Sequence, residues 1–190
     1  IQPMNNIKEN HQKGYTFQKL VPVYNGYQAF AIDSKTQKIG KYHKQWEHQR
    51  SYLVEIFVVI SKLLSLGICM TDIKPQNTLY DGENFKTVVI DLAGVVRKST
   101  RSKLTSIKLA DISEFTIGWT APEIENGNDN DKADLTKSMS FSLGLFIQKL
   151  ILATNPTHPY FDPLSVLAQK MTEKDPIVRI SVEEGIATLR

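Results

Sequence analysis

Three side chains that could work together on one reaction fall within six residues: Asp72-Ile73-Lys74-Pro75-Gln76-Asn77 supplies a carboxylate, an ammonium and an amide. A second carboxylate, Asp91, follows at the end of a run of β-forming residues, Thr87-Val88-Val89-Ile90. Phosphoryl transfer from ATP asks little covalent work of a protein. It needs a carboxylate to orient the attacking hydroxyl, oxygen ligands for Mg²⁺ and a cation near the γ-phosphate. Asp72 suits the first task, Asn77 and Asp91 the second, and Lys74 the third. Mg²⁺ favours hard oxygen ligands and keeps part of its water shell, so two side chains plus phosphates suffice. At about 5% usage per residue type, Asp-x-Lys-Pro-x-Asn arises by chance in roughly one chain per thousand of this length.

Such residues need elements that hold them. Gln45 to Leu66 reads as one long helix, because Leu53, Ile56, Phe57, Ile60, Leu63 and Leu64 form a broad apolar face. Gly67 is its expected C-cap. A turn-rich loop follows from Met70 to Asn77, then a short strand Thr78-Leu79-Tyr80, a turn at Asp81-Gly82, and the strand 87–90 that ends on Asp91. Upstream, 15–23 and 27–32 are rich in β formers and flank Asn25-Gly26, which predicts a hairpin.

Residues 95–118 are polar and carry no period, unusual inside a compact domain unless functional. Everything after residue 130 reads as helical. Lys137 to Leu152 is apolar on nearly every side, and Leu164 to Met171 and Val182 to Leu189 are shorter helices. Ser181 and Glu184 have the spacing of a capping box for the last of these. Asn155 to Pro163, with three prolines, is a loop.

Composition bounds the function. The 190 residues are 41% apolar and 23% charged, which fits one domain or a large part of one. A net charge of +3 offers no dense basic face, so neither nucleic acid nor a membrane surface is an expected partner. The most apolar stretch, 52–68, is broken by Glu55, Ser61, Lys62 and Ser65 and is too short to span a bilayer. The single cysteine, Cys69, suits a reducing, intracellular compartment, and the cytoplasm is the expectation. The first residue is Ile1 and no secretory signal follows, so a fragment or processed product is expected.

The ordered set of motifs resembles a eukaryotic-type protein kinase domain. Residues 72–77 look like its catalytic loop. Asp91-Leu92-Ala93-Gly94 stands where the magnesium-binding Asp-Phe-Gly would be, and Thr116 to Glu123 looks like the close of an activation segment on Ala121-Pro122-Glu123. Phe141-Ser142-Leu143-Gly144 resembles the start of the large buried C-lobe helix. Asp175 to Arg179 resembles the late motif whose arginine pairs with that glutamate, here Glu123.

The resemblance implies an α+β, protein-kinase-like fold: a mainly α-helical C-lobe over 35–190, and over 1–34 a remnant β-hairpin of the N-lobe with the hinge near Ile32 to Lys35. It implies Asp72, Lys74 and Thr116 as catalytic residues, with Thr116 bonding Asp72 and Lys74. Lys74, Leu79 and Asp91 would bind the nucleotide, with Leu79 under the adenine, and Asn77 and Asp91 would hold the metal. Lys74 follows the Ser/Thr-type pattern, so the implied function is a Ser/Thr protein kinase that uses ATP and Mg²⁺ on a protein substrate.

The chain also departs from the pattern. It has no Gly-rich phosphate loop and no Val-Ala-Ile-Lys lysine. Met70-Thr71 replaces His-Arg, and Met139 replaces the aspartate that holds that dipeptide. Losing both together leaves no buried carboxylate unpaired, which reads as a rewired loop. Leu92 keeps an apolar plug, and Gly94 shifts the backbone hinge by one residue. A pseudokinase, or kinase-like scaffold and interaction domain, is therefore the alternative. A small-molecule kinase is a third reading, against which Ala121-Pro122-Glu123 and the long segment before it argue.

Residues 97–103, Arg-Lys-Ser-Thr-Arg-Ser-Lys, read as a solvated mobile loop or as a phosphorylation or docking site. With Thr71 in the arginine position, phosphorylation at Ser99, Thr100 or Ser102 is not expected to be needed. The four histidines lack ligand spacing, and Trp46 and Trp119 read as packing residues.

Overall fold

A computed structural model describes residues 42–81, 86–92, 94–151 and 160–189. The expected hairpin and hinge lie outside them. Helix α1 (Tyr42–Ser65) begins three residues earlier than the periodicity predicts. Tyr52, Leu53, Ile56, Phe57, Ile60 and Leu64 are buried on one face, the stripe seen in the sequence. Burial of such side chains contributes about 1.5–3 kcal/mol each. It offsets the weak helix propensity of the β-branched run Val58-Val59-Ile60. Gly67 ends the helix with φ +74, and its amide donates to the Leu64 carbonyl. A Cβ there would stand 2.3 Å from the Lys98 carbonyl oxygen, so both backbone angle and space demand glycine.

Short strands follow, paired in three antiparallel couples among the described residues. Strand β1 (Ile68–Met70) pairs with β4 (Val95–Arg97), with Cys69 opposite Val96. Strand β2 (Thr78–Asp81) pairs with β3 (Lys86–Val89), with Thr78 opposite Val89. Strand β5 (Ile107–Lys108) pairs with β6 (Lys132–Ala133). The first two couples bracket the 72–77 loop and bring residue 91 back towards it.

The C-terminal half is helical: α2 (Pro122–Glu125), α3 (Leu135–Ile151), α4 (Phe161–Met171) and α5 (Val182–Leu189). Asp134 caps α3, its Oδ1 accepting from the Thr136 and Lys137 amides at 2.8 and 3.3 Å. Twelve of the 17 residues of α3 are buried, as its all-round apolarity requires. The Ser181–Glu184 capping box forms in both directions at 2.6 and 3.2 Å. No described helix is long and apolar enough to cross a membrane.

Four expectations are corrected. Residues 95–118 are not structureless: besides β4 and β5 they form 3₁₀ turns at Arg101–Thr105 and Leu109–Asp111. Isolated apolar residues, not a period, order them, since Leu104, Ile107 and Leu109 are buried. Arg101 binds Glu183 at 2.6 and 2.8 Å, so the basic stretch is anchored to α5 rather than freely solvated. The chain after residue 130 is not wholly helical, because β6 precedes α3. Helix α4 starts at Phe161 and runs through Pro163, because first-turn amides need no intrahelical partner.

Candidate active site

The loop between β1 and β2 is drawn shut by its own side chains. Pro75–Asn77 forms one 3₁₀ turn, and the Asn77 amide donates to the Lys74 carbonyl at 2.9 Å. The Asn77 Nδ2 donates both to the Asp72 carbonyl and to Asp72 Oδ2, each at 2.9 Å. Its nitrogen is thereby used, and Oδ1 is the amide atom left to ligate a metal. Lys74 Nζ donates to Asp72 Oδ2 at 2.7 Å and to Thr116 Oγ1 at 2.6 Å. Asp72, Lys74, Asn77 and Thr116 thus form one network across 44 positions of sequence.

The two oxygens of Asp72 differ. Oδ2 is shared by Lys74 and Asn77, whereas Oδ1 is buried with no hydrogen-bond partner among the described residues. A buried acceptor without a partner costs about 1–3 kcal/mol, so an open Oδ1 calls for an explanation. Burial alone pushes the Asp72 carboxyl up. Hydrogen bonds from Lys74 and Asn77, with the Lys74 charge and the nearby Thr116 hydroxyl that Lys74 holds, outweigh it and keep the group below the usual carboxylate range. Asp72 is therefore an anion at neutral pH with one oxygen free to accept a proton-bearing group.

Asp91 sits two residues past the end of the β2–β3 ladder, just after Ile90, whose amide donates to the Asn77 carbonyl at 2.8 Å. That bond ties the Asp91 backbone to the residue beside Asp72. Asp91 is exposed and has φ +62, the left-handed region that aspartate tolerates better than most side chains. Gly94 does not take that conformation. The expected one-residue shift of the hinge is therefore corrected, with the positive φ carried by Asp91 itself. Leu92 is 67% exposed, so the expected apolar plug is not seated in the described core. Leu79 lies in β2 opposite Val88, on the strand that leaves the loop.

Around this network the changed residues agree with one another. Met70 and Met139, which replace a polar pair, are both buried in the apolar core. Cys69 in β1 points its thiol at the Leu135 carbonyl in α3, seating the loop's base on that helix. Two supports escape sequence reading. The Tyr52 hydroxyl bonds Thr78 Oγ1, which donates to the Pro75 carbonyl at 3.0 Å, so α1 holds the far end of the loop. Thr71 bonds the carbonyls of Gly94 and Glu114. No local pattern marks either contact, whereas Asp134 ahead of an apolar run is a legible N-cap.

The donor set fits a nucleotide with Mg²⁺ better than a protein-only metal cage. Among the described residues no group of three or more His, Cys, Asp or Glu gathers to hold a metal. A site built on one amide and one carboxylate would need phosphate oxygens and water to complete it.

Comparison with known proteins is consistent with this arrangement at the level of fold. No family model matches the chain, and no curated protein matches it. Solved structures do. The crystal structure of the Legionella pneumophila LegK7 effector kinase superimposes with a TM-score of 0.65 at 17% identity, covering 79% of this chain and 39% of that one. The L. pneumophila effector kinase LegK7 in complex with human MOB1A gives 0.63 at 18%, covering 75% and 33%. The chain spans less than two-fifths of the length of these neighbours. The likeness shows a protein-kinase-like fold over the C-lobe region, with the helices of an α+β C-lobe and small antiparallel strand pairs.

Proposed function

We propose that this kinase-like chain is the catalytic C-lobe of an ATP-dependent Ser/Thr protein kinase, with residues 1–34 as the N-lobe remnant and hinge and 35–190 as the lobe. The observation that carries the reading is the Asp72 carboxylate, ionised, braced on Oδ2 and unpartnered on Oδ1. A scaffold has no physical need to keep a buried acceptor unsatisfied. Asp72 Oδ1 accepts the hydroxyl proton of a seryl or threonyl substrate and orients its oxygen. Lys74, fixed between Asp72 and Thr116, presents its remaining positive charge towards the γ-phosphate. Asn77 Oδ1 and Asp91 would hold Mg²⁺, and Leu79 would lie under the adenine. ATP with its metal supplies the transferable phosphoryl group. Thr116 orients Lys74 and joins the segment that receives the substrate to the catalytic loop.

The test is phosphotransfer by the full native chain, with seryl, threonyl and tyrosyl peptides offered in parallel. Asp72→Asn should lower the rate by about 10²- to 10⁴-fold, the usual worth of a general base. An unchanged rate removes Asp72 from the mechanism. Tyrosyl preference removes the Ser/Thr assignment.

The second reading is a kinase-like interaction domain without phosphotransfer. It draws support from the replaced Met70, Thr71 and Met139 positions, and from the LegK7 neighbour, which is found in complex with the human protein MOB1A. A protein partner retained equally by wild type and Asp72→Asn, with no phosphotransfer by either, would favour it.

A further inference from the structure

Thr71 occupies the position where a charged side chain was expected, and the hydrogen-bond partners of its hydroxyl are neutral backbone carbonyls. Its amide donates to the Gly94 carbonyl at 2.7 Å. Its Oγ1 lies 2.8 Å from the same carbonyl and 2.5 Å from the Glu114 carbonyl. A hydroxyl has one proton to give. The Gly94 oxygen already receives the Thr71 amide, so the Glu114 oxygen is the acceptor the hydroxyl is needed for. Glu114 lies two residues before Thr116, which holds Lys74. The segment end is thus fastened at two neighbouring points, residue 114 to residue 71 and residue 116 to residue 74. Residues 112–116 belong to no helix or strand, so these side-chain bonds supply part of the orientation that a ladder would otherwise give.

Gly94 completes the joint. A Cβ on it would stand 2.8 Å from Thr71 Oγ1, 3.0 Å from the Glu114 oxygen and 3.3 Å from Asp72 Cβ. Two of these are polar atoms of the joint itself, so the close approach requires glycine. Gly94 is needed here for space and not for a hinge.

We propose that Thr71 is a positioning residue, a neutral latch that holds the end of the 95–120 segment on the catalytic loop through Glu114 with no phosphate on that segment. Its consequence for catalysis rests on the kinase reading above, but the latch itself does not. Thr71 touches no reacting atom; it acts through Glu114, Thr116 and Lys74. The exposed hydroxyls of Ser99, Thr100 and Ser102 then have no part in ordering the segment end.

The experiment is amide hydrogen exchange on the full chain, read at residues 112–119 and, as a reference, in α3 and α5. Thr71→Val keeps the shape and removes the proton; Thr71→Ser restores the proton. Thr71→Val should speed exchange at 112–119 by about ten-fold, the worth of one buried hydrogen bond, with the reference helices unchanged. Thr71→Ser should match wild type. Gly94→Ala should reproduce the Thr71→Val pattern, and the double variant should add little to either. Exchange in Thr71→Val equal to wild type overturns the latch, as does failure of Thr71→Ser to restore protection. Phosphotransfer is measured on the same samples. If wild type transfers no phosphate while Thr71→Val still loosens 112–119, the kinase reading fails and the latch stands. If wild type is active, kcat/KM should fall in Thr71→Val and recover in Thr71→Ser. Triple replacement of Ser99, Thr100 and Ser102 by Ala should change neither readout, and a loosened 112–119 in that variant also overturns the proposal.

Discussion

Arg179 and Glu123, 56 positions apart in sequence, meet in a bidentate pair with Nη1 to Oε1 at 2.6 Å and Nη2 to Oε2 at 2.9 Å. The guanidinium is fully buried, and its other donors reach the carbonyls of Glu173, Lys174 and Lys137. The Phe141 ring lies 4.9 Å from its central carbon. Ser138 adds a hydrogen bond to Glu123 at 3.1 Å. This cluster joins α2, α3 and the turn before α5.

Removing one partner of a buried pair leaves an uncompensated charge. Glu123→Ala should lower stability by about 3 kcal/mol, read by denaturant unfolding. Arg179→Lys should not rescue, because an ammonium cannot match a fork and three carbonyls together. A loss below about 1 kcal/mol in Glu123→Ala would show that the pair is dispensable.

Asp91 separates function from stability. Its left-handed backbone costs an ordinary side chain about 1–2 kcal/mol. Asp91→Gly should therefore melt within a few degrees of wild type, while Asp91→Val should melt clearly lower. Both should abolish Mg²⁺-dependent phosphotransfer. Equal melting of the two variants would argue that the backbone there is unstrained.

Acid should loosen the clasp between the 101–105 turn and α5. The Arg101 guanidinium, and less so Ser61, hold the Glu183 carboxyl down at about 2, against an ordinary 4.5. The folded value lies below the unfolded one, so the contribution is complete above pH 4.5 and fades as pH falls towards 2. Asp72, also lowered, acts with the same sign. Because the Arg101–Glu183 pair is more than one-third exposed, its share is about 1 kcal/mol or less. Urea midpoints between pH 6 and 3 should fall less steeply in Glu183→Gln than in wild type; parallel slopes would mean the pair contributes nothing.

Tyr52→Phe removes the hydroxyl that joins α1 to Thr78 and leaves the ring on Phe146, 5.3 Å between centroids. The expected loss is about 1 kcal/mol, one buried hydrogen bond. On the proposed kinase reading phosphotransfer should drop with it, since Tyr52 steadies Thr78, whose bond to Pro75 closes the far end of the 72–77 loop. A variant as stable as wild type would remove Tyr52 from the loop's support.

The sequence by itself determined the parts of this protein whose causes are local or periodic. Helices α1, α3 and α5 follow from apolar spacing, and Gly67 and the Ser181–Glu184 box end or begin them for reasons a few residues wide. The order of short motifs was enough to expect a kinase-like fold, and the Glu123–Arg179 pair and the Lys74–Thr116 bond came with that resemblance. Leu92, expected as a plug and found exposed, marks where analogy stops. The tertiary structure alone decided what depends on distant backbone. Residues 95–118 have no period because their order comes from β1, β6 and Glu183, each contributed by a remote element. Thr71 reads in sequence only as a missing arginine. It becomes a latch because folding sets the Gly94 and Glu114 carbonyls beside its hydroxyl, and a hydrogen bond is specified by position, not by residue type alone.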